Sequence, residues 1–319
     1  MKAVVLAGGT GGAKLAAGMQ ELLGDELTVI ANSGDDIEAL GVHVCPDPDL
    51  CTYWLSGEID EARGWGLAGD SFHAFERLVA LGAPDWFGLS DRDLALCLRR
   101  KSLLEDGRRL SEVQLELSRA LGVRAAVLPM CDQPVRTHVR IAGGWCGLQE
   151  YLIKERSEPE LLEIRLDGIE AASVGPEVEA ALRGADAIVI GPSNPIISIG
   201  PILAVPGMRE LLATLSAPVI AVSPFVAGEV VKGPTAKFMR AAGLEPSAFA
   251  VTELYGELID GFVFDSADPG TPRWQLPALG VQTLMDGTDA RRKLAAAVLE
   301  LAASLSAEIT FASDYRPQT

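Results

Sequence analysis

Basic residues are scarce in this chain: 27 lysines and arginines stand against 44 aspartates and glutamates among 319 residues, a formal net charge of −17. So acidic a balance argues against general nucleic-acid binding, which needs cations to neutralise phosphates. It leaves room for a nucleotide held by a few local donors. Histidine is rarer still: His43, His73 and His138 are too few and too dispersed to suggest a zinc site. The five cysteines, Cys45, Cys51, Cys97, Cys131 and Cys146, show no C-x-x-C spacing and read as reduced, buried thiols. No run approaches the roughly 20 unbroken apolar residues of a membrane span. A core strand directly after Met1 leaves no room for a signal peptide. The expectation is a soluble, cytoplasmic protein with no nucleic-acid or membrane partner. No linker, repeat or low-complexity tract interrupts it, and 48% hydrophobic content is an ordinary globular mix.

What is present begins with LAGGTGGAKL, Leu6–Leu15, which places Gly8, Gly9, Gly11 and Gly12 directly after an apolar run. Such a cluster costs backbone entropy unless the chain turns tightly or something approaches the backbone. Strand, glycine turn and helix together aim free N–H groups and a positive helix end at an anion. Gly8, Gly9, Thr10, Gly11, Gly12 and Lys14 are therefore candidates for phosphate binding. The alternative is a tight turn whose glycines only permit close helix–sheet packing. A strict P-loop fails, because Ala13 stands at its second glycine and Leu15 at its Ser/Thr; the dinucleotide fingerprint fails at Lys14.

Strands are expected at Ala3–Leu6, Leu27–Ala31, Ala125–Leu128, Val135–Ile141, Ala187–Ile190, Pro218–Val222 and Phe262–Phe264. Runs such as AIVIG and PVIAVS are apolar at successive positions, as strands covered on both faces are. Helical spacing falls between them, at Leu15–Leu23, Gly175–Arg183, Met208–Leu215, Thr235–Ala242 and Asp289–Ser306. The alternation points to an α/β fold with a doubly wound, mostly parallel, Rossmann-like sheet. Residues 55–119, rich in Leu, Arg, Asp and Glu, read as a helical insertion subdomain within a single domain spanning 1–319. The second choice is a two-domain division near residue 170.

After the second strand, Asn32, Ser33, Asp35 and Asp36 are followed by Asp47 and Asp49 behind two prolines. Carboxylates on loops at strand ends, beside a phosphate loop, suggest a hard cation with oxygen ligands. The alternative is a turn or cap at Asp35 and a surface turn at 46–49. Trp86 and Phe87 beside Gly88, followed by Asp91, could stack on a flat ring or belong to the core. Asp132 and Arg136 stand at a strand junction, as an anion clamp or as an ion pair. Ser193 and Asn194, in GPSNPIISIGPIL, occupy a rigid polar loop of the kind that holds a nucleotide.

Taken in order, these motifs resemble the 2-phospho-L-lactate transferases of deazaflavin coenzyme F420 biosynthesis. They are GGTGGAKL, NSGDD, CPDPDLCTYWLSG, RGWG, LSDRD, PMCDQPVRTHV, LQEYLI, GPSNPIISIGPIL and VSPFVAGEVVKGP. The resemblance runs from about residue 1 to residue 285. It implies transfer of a phosphorylated three-carbon acid, phospho-lactate or phospho-enolpyruvate, from a guanosine diphosphate-linked donor. The acceptor is the ribityl hydroxyl of the deazaflavin FO, and GMP leaves. Magnesium and a homodimer are implied as well. Carried onto this sequence, the metal falls to Asp35 and Asp49, the reacting groups to Asp35, Asp36 and Asp49, and the guanosine side to Ser193 and Asn194. FO is assigned to Asp49, Gly88, Asp91, Asp132 and Arg136, its flat ring to the helical insertion and the Asp85–Asp91 loop by a stacking argument. Family members usually have Asp-Thr after the first Asp of the CPDxD loop. Here Leu50-Cys51-Thr52 follows Asp49, so Asp47 and Asp49 both stand as the functional carboxylate. The opening loop alone also fits nucleotidyl- and glycosyltransferases, and a nucleotide-binding regulator of related fold is a third reading.

Overall fold

The computed structural model describes residues 1–269 and 274–314, with side chains to Ala307. Seven strands form one parallel sheet: β1 (Ala3–Ala7), β2 (Leu27–Ala31), β3 (Ala126–Pro129), β4 (Ala187–Ile190), β5 (Val219–Val222), β6 (Gly261–Asp265) and β7 (Ala278–Val281). Their order is β7-β6-β5-β4-β1-β2-β3, so the winding reverses between β1 and β4. That is the doubly wound arrangement, with a crevice outside the strand ends at the reversal.

The strand sequences explain the layering. AVVLA, AIVI and VIAV are buried throughout, so both faces must be covered. Along β1 the side chains alternate: Ala3, Val5 and Ala7 enter one core, Val4 and Leu6 the other. The first core is closed by α1 (Gly9–Leu23), α2 (Pro46–Ser56) and the long helix Thr288–Asp314 through Leu15, Met19, Trp54, Leu294 and Val298. The second is closed by helices Pro176–Arg183, Ile199–Ala204, Met208–Thr214 and Ala248–Tyr255, through Leu182, Ile202, Met208 and Val251.

Between β2 and β3 lie an antiparallel hairpin, Ile37–Ala39 with Val42–Val44, then α2, α3 (His73–Ala80), α4 (Asp91–Glu105) and α5 (Leu110–Ala120). Two expectations change. Pro46–Asp49 is not a surface turn but the buried first turn of α2, with Pro46 at the position where its missing N–H costs nothing. The strand expected at 135–141 lies outside the main sheet: Arg136–Ile141 pairs antiparallel with Gly144–Gly147 and Glu163–Asp167. Its buried residues, Thr137 and Val139, alternate with more exposed ones, the pattern of a sheet covered on one face.

Candidate active site

Strand ends around the reversal enclose a cleft of about 720 Å³. Its inner end is the start of α1. Gly8 caps the helix, and Gly9 takes φ +61°, which a side chain would strain. A Cβ on Gly8 would lie 2.6 Å from Ser198 Cβ, and one on Gly11 would overlap the Pro192 carbonyl oxygen. The glycines thus let the loop after β4 lie directly on α1. Gly8, Gly9, Thr10, Gly11 and Lys14 line the cleft, but Gly12 does not; its Cα side is closed by Ser193 and Ala7. Gly12 is buried, and its lack of a side chain serves this packing. Two amides at this end already have acceptors: Gly8 N–H donates to Ser193 Oγ at 3.2 Å and Gly9 N–H to Asp47 Oδ1 at 2.6 Å. Thr10 and Gly11, still in the first helical turn, have no intrahelical acceptor by position.

Beside this helix end lies the acidic cluster. Asn32, at the end of β2, donates to Asp47 Oδ2 at 3.0 Å and lies 3.3 Å from Asp35 Oδ1. Gln149 Nε2 donates to Asp35 Oδ2 at 2.8 Å. Gln149 precedes a π-helical turn, Glu150–Lys154, a distortion often found at functional sites. Asp35, Asp47 and Gln149 are all buried. Burial, then the charges of Asp47 and Asp36, holds the Asp35 carboxyl well above the usual range. Burial pushes Asp47 up to about 6, against the Gly9 amide and the Asn32 side chain. No cation of the chain pairs with Asp35 or Asp47 among the described residues.

Asp49 also lines the cleft but is differently held. Arg100, fully buried on α4, donates to Asp49 Oδ1, while Asp49 Oδ2 has no protein partner. Burial raises Asp49 to about 6 and Arg100 opposes it. Asp47, rather than Asp49, shares Asn32 with Asp35. Farther out, Trp65, Trp86, Phe87 and Gly88 line the same cleft, the Trp86 and Phe87 rings meeting edge-on at 5.6 Å. Ser193 and Asn194 line it too, although the Asn194 side-chain oxygen accepts from Ile196 N–H at 2.9 Å and so shapes its own loop.

Four expected site residues lie elsewhere. Asp36 turns away from the cleft, its Oδ2 meeting His43 Nε2 at 3.1 Å and Cys45 Sγ at 3.2 Å, because the chain turns at Gly34–Asp35 and Asp36 leads into the hairpin. Asp91 caps α3, accepting from Ala74 N–H at 2.9 Å and from Ser71 Oγ. Asp132 accepts from Arg109 at 3.1 Å and from Ser111 N–H at 2.8 Å. With Arg136 it lines a second, smaller cleft behind the Asn32–Asp36 loop. Gln149, Tyr53 and Asp93 line the main cleft without having been assigned a role, although they lie in the motifs LQEYLI, CPDPDLCTYWLSG and LSDRD.

A doubly wound sheet, a helix N-terminus and a buried acidic cluster facing one crevice define a class: α/β proteins built to take an anionic ligand at the strand ends. Within that class, residues 3–297 match the family described as 2-phospho-L-lactate transferase CofD, and the chain belongs to it. The 2-phospho-L-lactate transferase of Methanosarcina mazei is 39% identical over 302 residues, covering 93% of this chain and 99% of that protein. The phosphoenolpyruvate transferase of Streptomyces griseus is 40% identical over 319 residues, covering 96% and 100%. In fold, a UPF0052-family protein from Bacillus halodurans superposes with a TM-score of 0.62 over 93% of this chain and 98% of that one, at 19% identity. No helix among the described residues is long and apolar enough to cross a membrane.

Proposed function

We propose that this chain joins a phosphorylated three-carbon acid to the deazaflavin FO in coenzyme F420 biosynthesis, using a guanosine diphosphate-linked donor. The observation that carries this is the cleft itself: a helix N-terminus and unneutralised carboxylates at one end, and the rings of Trp65, Trp86 and Phe87 at the other. A diphosphate suits the first and a flat tricyclic ring the second. Asp35 and Asp47 are all-oxygen donors whose raised proton affinities mark a missing counter-charge, and magnesium suits such a set. When bound there, the ion would neutralise charge on the donor's diphosphate.

The chain's own contribution is then positioning. Thr10 and Gly11 N–H groups and Lys14 receive donor oxygens, with Ser193 and Asn194 on the guanosine side. The ribityl oxygen forms its bond to the phosphorus bearing the acid, the bond from that phosphorus to the GMP oxygen breaks, and GMP leaves with the electron pair. Asp49, ionised near neutrality with Oδ2 unpartnered, accepts the hydroxyl proton. Trp65, Trp86 and Phe87 hold the deazaflavin ring. The acid is lactate or enolpyruvate; relatives of both names are equally similar. A homodimer, expected from the family resemblance, is checked by light scattering.

The test is a fluorescence titration of FO with magnesium and GDP present, followed by turnover with each donor and mass analysis of the product. Saturable micromolar binding and a product heavier by one phospho-acid support the reading. GDP binding without any FO binding would end it.

A further inference from the structure

The hairpin after β2 carries a second set of ligating groups that faces away from the cleft. Its register pairs Glu38 with His43 and Ile37 with Val44, which sets Asp36 opposite Cys45 one step further along. Side chains two apart on a strand share a face. Ile37, Val42 and Val44 therefore pack into one apolar cluster, while Asp36, Glu38, His43 and Cys45 gather on the other side. Asp36 Oδ2 lies 3.1 Å from His43 Nε2 and 3.2 Å from Cys45 Sγ, and the three donor atoms all fall within 4.8 Å of one another. Such separations are edges of a tetrahedron around one small ion. Both nitrogens of His43 face carboxylates: Nδ1 lies 2.8 Å from Glu38 Oε1, and Nε2 faces Asp36. Against burial, the two carboxylates favour a protonated ring when no ion is bound; in the neutral tautomer with Nδ1–H on Glu38, the Nε2 lone pair is free for an ion placed between it and Asp36. A carboxylate behind the distal nitrogen is the usual support of a metal-binding histidine. Asp36 is 1% exposed and its Oδ1 is buried without a partner.

We propose that Asp36, His43 and Cys45 form a zinc site, with Glu38 orienting the histidine and a fourth position open to water in the small cleft behind the loop. Thiolate with imidazole selects zinc over magnesium. That cleft, about 200 Å³ and lined by Asp36 and His43, supplies an entry path. Three arginines also line it: Arg108 is paired with Glu116, Arg109 with Glu112, Asp132 and Glu177, and Arg136 donates to the Val135 carbonyl at 2.8 Å. A competing cluster, Asp49, Asp93 and Cys97, already holds a cation, since the Arg100 guanidinium donates to Asp49 and reaches Cys97 Sγ at 3.6 Å. A zinc ion at the hairpin would pin the Asn32–Asp36 loop from behind, leaving Asp35 turned toward the main cleft.

Reduced, chelator-stripped protein titrated with Co²⁺, the spectroscopic stand-in for Zn²⁺, tests this without any assay of turnover. The expected result is a sulfur-to-cobalt charge-transfer band that saturates at one equivalent and that Zn²⁺ bleaches, Co²⁺ at the all-oxygen Asp35–Asp47 site giving no such band. Cys45→Ser should abolish the band, while Cys97→Ser and Asp35→Ala retain it. Absence of the band, its survival in Cys45→Ser, or its loss in Cys97→Ser overturns the proposal. Should Cys45→Ser fail to fold, Glu38→Gln decides, because Glu38 is largely exposed. There the affinity for Co²⁺ should fall about 10–100-fold with an unchanged far-ultraviolet spectrum, and unchanged affinity refutes the site.

Discussion

Asp47 and Asp49 stand two residues apart in the first turn of α2, both buried and both pushed up to about 6 by that burial. Their surroundings differ in one respect. Asp49 meets a guanidinium, Arg100, whereas Asp47 meets only the Gly9 amide and the Asn32 side chain, with Asp35 close by. Two residues along a helix differ by about 200° of rotation, so one carboxylate turns to α4 and the other to α1. One charge meets a cation within the fold and the other does not.

The sharpest way to break this comparison is Asp35→Asn or Asp47→Asn. Either should lower turnover about 10³-fold or more while leaving the thermal midpoint equal or raised, since a destabilising charge is gone. Turnover within tenfold of the parent would place the cation elsewhere. On the other side of the comparison, Arg100→Met strands a buried Asp49 carboxylate. Urea denaturation should show about 3–5 kcal/mol of lost stability, and a loss under 1 kcal/mol would mean that Asp49 does not depend on Arg100. Gln149→Ala frees Asp35 Oδ2, so the magnesium concentration for half-maximal rate should rise about 10-fold; an unchanged midpoint with a lower rate would argue against that orienting role.

The smallest effect is on pH. Asp47 and Asp49 lose their protons near 3.8 when unfolded but near 6 when folded. Between those values the folded state holds protons that the unfolded state has lost, so stability falls as pH rises. Metal-free protein should melt a few degrees lower at about pH 7.5 than at about pH 5, and magnesium should recover the difference only at the higher pH. A flat profile, or equal rescue at both values, would contradict the pairing of raised carboxyls with a cation site.

The sheet was largely readable beforehand. Five residues of β2 and four of β4 fall where the apolar runs put them, because a strand buried on both faces has an uninterrupted apolar sequence. The reading failed where a residue's partner is remote. Asp132 and Arg136 could be read as an anion clamp or as an ion pair with each other, but Asp132 is committed to Arg109, 23 residues away. Asp91 looked like a ring-binding group, yet it caps α3 from 17 residues downstream. The glycine loop was read for its ligand, and close packing against Pro192 and Ser198 proved to be part of its purpose.

By itself the sequence determined the doubly wound sheet, the helix that begins at the glycines, and the family to which the chain belongs. Those follow from periodicity, turn chemistry and motif order, all of which act within a short window of chain. Only the tertiary structure decided which aspartate keeps an uncompensated charge. Arg100 lies 51 residues beyond Asp49, and Gln149 lies 114 beyond Asp35. Whether a buried carboxylate is paired depends on which helices pack together and how each is rotated, and no local pattern in the chain carries that information.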